Sequence, residues 1–372
     1  MTKRWQYVLT AATVLIQILS AQVHGTLTLS GTADDNVNNS AVVTGSSIST
    51  TGLSAGYWME LFGGGLDLSY DGAYQYYGSA LYRTSYYHSG ELSFQRAFNE
   101  EETDALMISA SYASGFYRDD YSLYDHSSFI AGMQYKYPIG ERFIHTMLYS
   151  GSVVSYPGLQ DFSYTEHRIM TSGASAVTPT TTLILQADLG AKFYGTDGME
   201  GNSAMRKGVM SSVLPSVSQL TGMAKVGQRI TENIGLSLSS RYQWNIRKQT
   251  RYLETPYGGI ADDELFDDHY GYEGWHTSLM YTHLLSETMT AKVTGGVQQR
   301  IYSSLAAFDL AGTMTADRRE DSRRYLNVTL KQEFPELGLT LHGTLDLIDN
   351  VSNDAWYDYR NTVAGIGITV PF

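Results

Sequence analysis

The chain has 372 residues, a formal net charge of −13 and no cysteine. The acidic balance argues against nucleic acid as a partner, and the lack of cysteine excludes a disulfide-stapled fold. Tyrosine and glycine are abundant, at 29 and 36 residues, while charged residues make up only 17%. Dispersed apolar residues in such a composition are typical of an all-β chain whose strands each have one apolar face.

The first segment has the features of a secretory signal peptide, in the expected order. Lys3 and Arg4 precede about twelve apolar residues, VLTAATVLIQIL, and the small residues of SAQVHG follow. The apolar run is too short for a spanning helix; a buried N-terminal helix is the alternative. We therefore expect residues 1–25 to be a signal peptide, cut after a residue between Ala21 and Gly25, and residues 26–372 to form one domain.

Long segments of the remaining chain alternate apolar and polar residues, which indicates β-strands. Each is at least about ten residues long, the length at which a tilted strand crosses a bilayer. Strands of soluble domains are usually shorter. The clearest segments are LILQADLGAKFY (183–194), LSLSSRYQWNIR (236–247), TAKVTGGVQQRI (290–301) and LTLHGTLDLI (339–348).

Short and long connections alternate along the chain, as periplasmic turns and extracellular loops do in an outer-membrane barrel. The predicted short turns are 62–65, 99–103, 137–141, 178–182, 231–233, 286–288 and 334–338. The predicted long loops include 118–127, 195–208, 248–271, 307–322 and 349–358, and the loop 248–271 is the one most expected to fold into the lumen.

The strand count defines the fold class that we expect. Fourteen strands follow from residue 66 onward, and TTGLSAGYWMEL (50–61) with TLTLSGT (26–32) adds two more. We predict an all-β chain forming an antiparallel transmembrane β-barrel of about sixteen strands, with fourteen as the alternative. Aromatic residues near strand ends are expected at the lipid headgroup level, although strand propensity alone also favours them. They are Tyr74, Tyr76, Tyr135, Tyr137, Tyr242, Trp244 and Trp275.

The last strand carries the family resemblance. In NTVAGIGITVPF (361–372), every second residue from Ala364 to Phe372 is apolar, and the other side holds Gly365 and Gly367. This pattern resembles the β-signal of bacterial outer-membrane β-barrels, which the barrel-assembly machinery reads. The resemblance implies a location in the bacterial outer membrane and contact with its lipid and lipopolysaccharide. It also implies an assembly signal made of Ile366, Ile368, Val370 and Phe372.

Residues opposite the apolar faces are the candidates for lining the lumen. The early strands contribute the acids Asp67, Asp71 and Glu91. The later strands contribute Asp188 and the bases Lys192, Lys225, Arg229, Arg241, Arg247, Lys292, Arg300 and Lys331. Since early and late strands lie opposite each other in a closed barrel, we expect an acidic wall to face a basic wall. The alternative is a side-chain network that fills a closed lumen.

A transverse field of this kind favours small polar solutes over apolar ones. The sequence therefore predicts a porin-like channel for the passive diffusion of small polar solutes. The alternatives are a non-conducting structural or surface-binding barrel, and a barrel associated with polysaccharide export.

Metal binding and catalysis have weaker support. The acidic run Asp262, Asp263, Glu264, Asp267 and Asp268 offers the carboxylates that Ca²⁺ prefers, but its spacing matches no defined Ca²⁺ loop. A solvated loop surface, or one bridged to lipopolysaccharide by divalent cations, is the alternative.

His88, His126 and His269 have no catalytic partner that can be assigned from sequence. We therefore expect no enzyme activity and no cofactor.

Overall fold

The computed structural model describes residues 23–194, 217–248 and 269–372. Sixteen strands form a closed barrel in this part of the chain. The strands are β1 (Val23–Asp34), β2 (Ser46–Leu61), β3 (Gly64–Tyr77), β4 (Ser85–Ala97), β5 (Ala105–Tyr117), β6 (His126–Ile139), β7 (Phe143–Ser155), β8 (Tyr164–Thr178), β9 (Thr181–Tyr194), β10 (Val217–Arg229), β11 (Ile234–Lys248), β12 (Gly274–Leu284), β13 (Met289–Phe308), β14 (Met314–Phe334), β15 (Leu339–Ser352) and β16 (Tyr359–Pro371).

Every strand pairs antiparallel with its neighbours in sequence, and β16 pairs with β1 to close the ring. The predicted fold class and the count of sixteen are confirmed. Closure leaves no strand edge, so each backbone N–H and C=O of the ladder has a partner, as a structure spanning hydrocarbon requires. The same ladder explains how the chain holds together without a disulfide.

In the part of the chain that the structure describes, the helices are short 3₁₀ segments in the connections. Across the described ranges, none of these helices has the length and apolarity needed to cross a membrane.

The strand alternation places apolar side chains on the outside of the barrel. Leu68, Leu185 and Leu238 are about half exposed there, at 54%, 53% and 49%. Residues that pair directly on neighbouring strands point to the same side of the sheet. The register between two strands therefore identifies which residues of the second strand face outward. All seven aromatic residues expected at the headgroup level lie on this outer face.

Most connections at one end of the barrel are short and most at the other are long, with the connection between β13 and β14 as an exception. A two-residue turn joins β2 to β3 through Phe62 and Gly63, whose φ angles of 52° and 68° are left-handed. That conformation matches the twist of the two strands and favours glycine at the second position. Both termini of the barrel lie at the short-turn end, because β1 begins there and β16 ends there.

The prediction of a long loop at 307–322 is wrong. β13 continues to Phe308 and β14 begins at Met314, so the connection is only 309–313. The two strands pair as far as Phe308 with Met314, and the hairpin therefore extends beyond the neighbouring strands. In the same way β15 continues to Ser352, which shortens the predicted loop 349–358 to 353–358. The alternation fails to predict these ends because polar residues occupy both faces once a strand leaves the apolar band.

Three successive loops at the long-connection end share one hydrogen-bond pattern. In each, the N–H of a tyrosine at the end of a strand donates to a side-chain oxygen that precedes the next strand. A 3₁₀ helix lies between the two residues in each case. The pairs are Tyr77 with Thr84 Oγ1 (3.3 Å), Tyr117 with Asp125 Oδ1 (2.7 Å) and Tyr156 with Ser163 Oγ (2.9 Å).

The loops also bind one another across the rim. Arg83 Nε donates to Asn38 Oδ1 at 2.9 Å, which joins the loop after β3 to the loop after β1. Ala41 N donates to Trp356 O at 2.8 Å, which joins the loop after β1 to the loop after β15. These bonds hold the loops to the barrel, so that the rim around β15, β16 and β1–β4 is continuous.

An ion pair stabilises the extension of β13 and β14. Arg319 and Asp321 are 3% and 2% exposed, and Arg319 Nη2 lies 2.7 Å from Asp321 Oδ2. The guanidinium also stacks on the Tyr357 and Tyr302 rings, 3.2 Å and 4.3 Å from their centroids. Because both charges are buried, the pair is satisfied only while the loop containing Tyr357 packs against the hairpin.

Candidate functional site: a charged lumen

The acidic side of the lumen is built by the early strands. In β3, Leu68 and Tyr70 face outward, so Asp67 and Asp71 face inward. Glu91 faces inward on β4, because it pairs directly with Ser69 of β3. Asp71 accepts a hydrogen bond from Ser54 Oγ on the neighbouring strand. The structure thus places all three predicted acids on one inner wall.

The basic side of the lumen is built by the later strands. Arg241 faces inward on β11, opposite in direction to the exposed Leu238 and Tyr242. Lys225 lies beside it on β10, in register with Ser239 of β11. Lys292 faces inward on β13, paired with Thr282 of β12. Lys225 and Arg241 thus share the inner face of the adjacent strands β10 and β11, and Lys292 faces inward two strands further around the ring.

The two walls lie across the barrel from each other. β3 and β11 are separated by eight strand positions in either direction around the ring of sixteen. Asp71 lies seven residues above the short-turn end of β3, and Arg241 lies seven residues above that of β11. Equal rise along equally tilted strands brings both side chains to a similar height.

Side chains do not fill the lumen. Asp71, Glu91, Arg241 and Lys292 are all solvent-exposed although they face inward. Apolar inward residues are also exposed, such as Trp58 at 48% and Ile130 at 43%. A barrel of this strand number has room for an aqueous lumen, and the exposure of its inner face agrees with that.

Asp188 is an acid placed within the basic wall, and its charge is compensated locally. It is 6% exposed, and Arg168 donates to its Oδ1 through Nη2 at 2.6 Å and Nε at 3.1 Å. Gln186 Nε2 donates to the other carboxylate oxygen at 2.8 Å. Asp188 therefore contributes little net charge to the lumen and fixes the position of Arg168.

Two predicted lining cations are covered by aromatic rings. Lys192 is 4% exposed, and its Nζ lies 3.9 Å from the Tyr164 ring centroid and 4.8 Å from that of Tyr194. Arg300 faces inward on β13, with its Cζ 4.9 Å from the Tyr272 ring centroid. Both lie inside the barrel but under the segment 269–273, away from the open lumen.

The end of the loop between β11 and β12 folds against the inner wall. Tyr270, 2% exposed, donates through its hydroxyl to Glu166 Oε1 at 2.5 Å. Asn245 Nδ2 donates to Tyr270 O at 3.0 Å, and Gln243 Nε2 donates to Tyr272 O at 2.9 Å. The inward folding expected for 248–271 thus holds for residues 269–271, while residues 249–268 lie outside the described part.

A polar cavity of about 330 Å³ lies between this segment and the basic wall. Its lining includes Arg168, Asp188, Arg241, Gln243, Tyr270 and Tyr272. Arg241 therefore stands at the boundary between the cavity and the open lumen, next to donors that suit a polar solute.

Like Lys292, which is three residues from the short-turn end of β13, the remaining predicted cations lie away from the level of Arg241. Lys331 forms an ion pair with Glu333, 2.6 Å apart, near the short-turn end of β14. Arg229 is the last residue of β10 at that same end, and Arg247 lies one residue before the opposite end of β11. These three are on strands of the basic side but away from the level of Arg241.

Sequence reasoning missed three inward-facing cations, Lys136, Arg168 and Arg323. Lys136 pairs with Thr146, Arg168 with Ser150 and Arg323 with Gln298, all on the inner face. The signal in β6 and β8 is the alternation with outward Met133, Tyr135 and Ile169. Arg323 could not be separated from Arg324, because the charged run before Leu326 hides the period of two.

The last strand has the orientation that its pattern predicts. Ile366 and Phe372, both 68% exposed, lie on the outer face with Val370, whereas Gly365 and Gly367 face the lumen. Phe372 and Gly25 exchange backbone hydrogen bonds of 3.0 Å and 2.9 Å. The Phe372 ring covers Gly25, where an added Cβ would lie 2.4 Å from the ring Cζ.

The histidines singled out by sequence have structural partners. His88 Nδ1 lies 2.7 Å from the Tyr70 hydroxyl on the outer face, and the His126 ring packs on Tyr156. In the described ranges no group of three His, Cys, Asp or Glu side chains could hold a metal ion. The acidic run from Asp262 to Asp268 lies outside them.

Comparison with known proteins was made by sequence and by fold. No family model and no curated protein matches the chain. OccAB3 from Acinetobacter baumannii is 9% identical over 94% of this chain and 99% of its own, with a TM-score of 0.50. OpdL from Pseudomonas aeruginosa is 10% identical over 94% and 98%, also with a TM-score of 0.50. Both are outer-membrane β-barrel porins.

CdiB from Acinetobacter baumannii is similar too, 9% identical over 94% of this chain and 60% of its own, with a TM-score of 0.53. At such identities the likeness shows the fold alone. The chain has the fold of outer-membrane β-barrels.

Proposed function

We propose that the chain is a bacterial outer-membrane channel for the passive diffusion of small polar solutes. The observation that carries the proposal is the pair of exposed, opposite charges across the lumen, with Asp71 and Glu91 facing Arg241 at a similar height. The shared fold with outer-membrane porins supports the location and the kind of activity.

The transverse field gives this lumen its selectivity. Water and polar solutes orient in such a field. An apolar solute displaces the oriented water and makes no favourable interaction with the field in its place. Because exposed charges of both signs line the path, the channel accepts ions of either sign. Arg241, Lys225 and Lys292, on β11, β10 and β13, favour anions along the basic side.

A solute-uptake assay tests the proposal. Liposomes that contain the purified barrel should swell in isotonic solutions of small polar solutes, and the rate should fall steeply with solute size. Uptake no faster than in empty liposomes would contradict it. A hydrolysis assay with lipid-like substrates on the same preparation distinguishes an enzyme, for which we expect no activity above background.

The proposed partners follow from the same placement. The outer face would contact outer-membrane lipid and lipopolysaccharide, and the barrel-assembly machinery would read Ile366, Ile368, Val370 and Phe372. Neither small solutes nor these partners require a cofactor.

The segment 269–273 is expected to narrow the channel, and Tyr270→Ala tests this. Loss of the ring removes one of the aromatic rings around Lys192, the one 5.9 Å from its Nζ, and leaves Glu166 without its hydroxyl donor. We expect this to destabilise the local packing by about 3–5 kcal/mol. We expect a larger conductance and a stronger preference for anions, measured in planar bilayers. Tyr270→Phe keeps the ring and should retain the original conductance; equal currents from wild type and Tyr270→Ala would count against this role.

We propose that the signal peptide is cut before Val23, which selects among the cut sites open from sequence. Val23 and His24 pair with Tyr57 and Gly56 of β2, and Gly25 holds both backbone bonds to Phe372. A cut after Gly25 would remove these partners. Intact-mass measurement of the mature protein should give a chain beginning at Gln22 or Val23, and a chain beginning at Thr26 would refute the proposal.

A further inference from the structure

The outer face of β13–β16 and β1 differs from the rest of the barrel near the long-connection end. In these five strands, as described, no Tyr or Trp faces outward. Tyr325 bonds to His276 on the inner side, and Tyr302 and Tyr359 are buried at 4% and 8% exposure. Outward rings such as Tyr74 and Trp244 mark the headgroup level elsewhere, so another kind of group must meet the headgroups here.

A row of charged residues takes that position. Arg324 of β14 pairs directly with Asp349 of β15, which pairs directly with Arg360 of β16. All three face outward, because the exposed Leu326 and Leu347 lie two residues away on the same strands. Arg360 Nε lies 3.1 Å from Asp349 Oδ1, and their side chains are 88% and 40% exposed.

The row borders a groove of about 400 Å³ on the outer surface. Leu326 and Leu347 form the apolar part of its lining, and Arg324, Asp349, Arg360 and Thr362 form the polar part. Below it the outward residues of β15 and β16 are apolar down to the short-turn end, from Leu345 to Leu339 and from Ala364 to Phe372. The arginines therefore stand at the upper edge of the apolar band, where a charge on the lipid face costs little.

We propose that this groove binds the phosphate-bearing headgroup of lipopolysaccharide. Two guanidinium groups flanking one carboxylate leave a net positive charge, and arginine forms paired hydrogen bonds to phosphate oxygens. The leucines below would contact the acyl chains of the same molecule. Asp349 holds the Arg360 guanidinium beside the groove. The proposal rests on the proposed outer-membrane location, in which the long connections face the lipopolysaccharide leaflet.

Lipid retention by the purified full barrel tests the site. The barrel is placed in phosphatidylcholine nanodiscs that contain diphosphorylated lipid A, dephosphorylated lipid A or phosphatidylglycerol, and bound lipid is counted by native mass spectrometry. Arg324→Gln with Arg360→Gln should lower retention of diphosphorylated lipid A by at least about tenfold. Dephosphorylated lipid A lacks the phosphates that the arginines would bind. The wild type and the double variant should therefore retain it equally weakly.

Arg96 supplies a matched control. It faces outward on β4, pairs with Leu106 and stacks on the Phe98 ring at 5.6 Å, but it lies near the short-turn end. Arg96→Gln removes the same charge from the outer face and should leave retention unchanged. Heat-modifiable migration on gels confirms that each variant is folded.

Three results would overturn the proposal. Equal retention of diphosphorylated lipid A by wild type and the double variant would show that the row does not bind it. Equal binding of phosphatidylglycerol would show that the site does not select lipopolysaccharide. Loss of a dimer or trimer in the double variant, with lipid retention intact, would assign the row to contact with a second copy. Conductance, measured on the same variants, is expected to be unchanged, so the outcome is separate from that of the channel proposal.

Discussion

Replacing Phe372 by alanine is expected to leave most of the chain unassembled while hardly changing the current through the barrels that do form. The ring covers Gly25 on β1, so it lies across the seam where the last strand meets the first. Because lipid is as apolar as the ring, lipid adds little driving force for packing the Phe372 ring on the outer face. The contribution of the ring therefore comes from its contact with Gly25 at the seam. The effect should therefore appear in membrane insertion, measured as the heat-modifiable fraction in outer-membrane extracts.

Glycine substitutions on β1 provide the control for this prediction. Gly25→Val places atoms in the space of the Phe372 ring and should reproduce the assembly defect. Gly31→Val, on the same strand and face, has nothing within 4 Å of the added Cβ and should assemble normally. Deletion of Phe372 also removes both backbone bonds to Gly25 and should be more severe than Phe372→Ala. Normal insertion of the deleted chain would contradict the role of this seam.

Reversing Arg241 to glutamate should turn the selectivity of the channel toward cations. The substitution changes the charge of the basic wall by two units at the height of Asp71 and Glu91. We expect the cation-to-anion permeability ratio to rise severalfold, measured as the reversal potential in a salt gradient, and the shift to shrink at high salt.

Arg142→Glu is the matched control, because Arg142 is exposed in the turn between β6 and β7, outside the barrel wall. It makes the same charge change and should leave the reversal potential close to that of the wild type. An Arg241→Glu channel with unchanged selectivity would show that this wall does not control permeation. Arg300 is unsuitable for the same test, since its burial under Tyr272 makes charge reversal a packing defect as well.

The barrel could be predicted from sequence because its determinants are local. Strands such as 183–194 and 236–247 alternate over their full length, and the register of one neighbour fixes the face of the next. The orientation of Asp71, Arg241 and Ile366 follows from that period alone. Closure between β1 and β16 also follows, since an unpaired edge in hydrocarbon costs several kcal/mol.

What sequence could not supply depends on contacts between distant segments. Lys192 and Arg300 were expected in the open lumen, yet the segment 269–273 covers them with the rings of Tyr270 and Tyr272. The sequence around Lys192 contains no pattern that predicts contact with Tyr270, which lies far along the chain. The extended hairpin of β13 and β14 was missed for a related reason, because the Arg319–Asp321 pair is stabilised by Tyr357 from another loop.

The row of Arg324, Asp349 and Arg360 was hidden in a similar way. Each residue belongs to a polar stretch in which the period of two is lost, and only the pairing of three strands brings the charges side by side. The outward orientation of an aromatic residue such as Trp244 could be predicted more easily, because Trp244 lies between the polar residues Gln243 and Asn245.

Current through the purified wild-type barrel in a planar lipid bilayer tests whether the lumen is an open aqueous path. An aqueous lumen with exposed charges on opposite walls should produce discrete steps of ohmic current, each step marking the insertion of one barrel or one set of barrels. A correctly folded barrel that inserts into the bilayer and yet passes no current above the lipid background would show that the lumen is closed to ions.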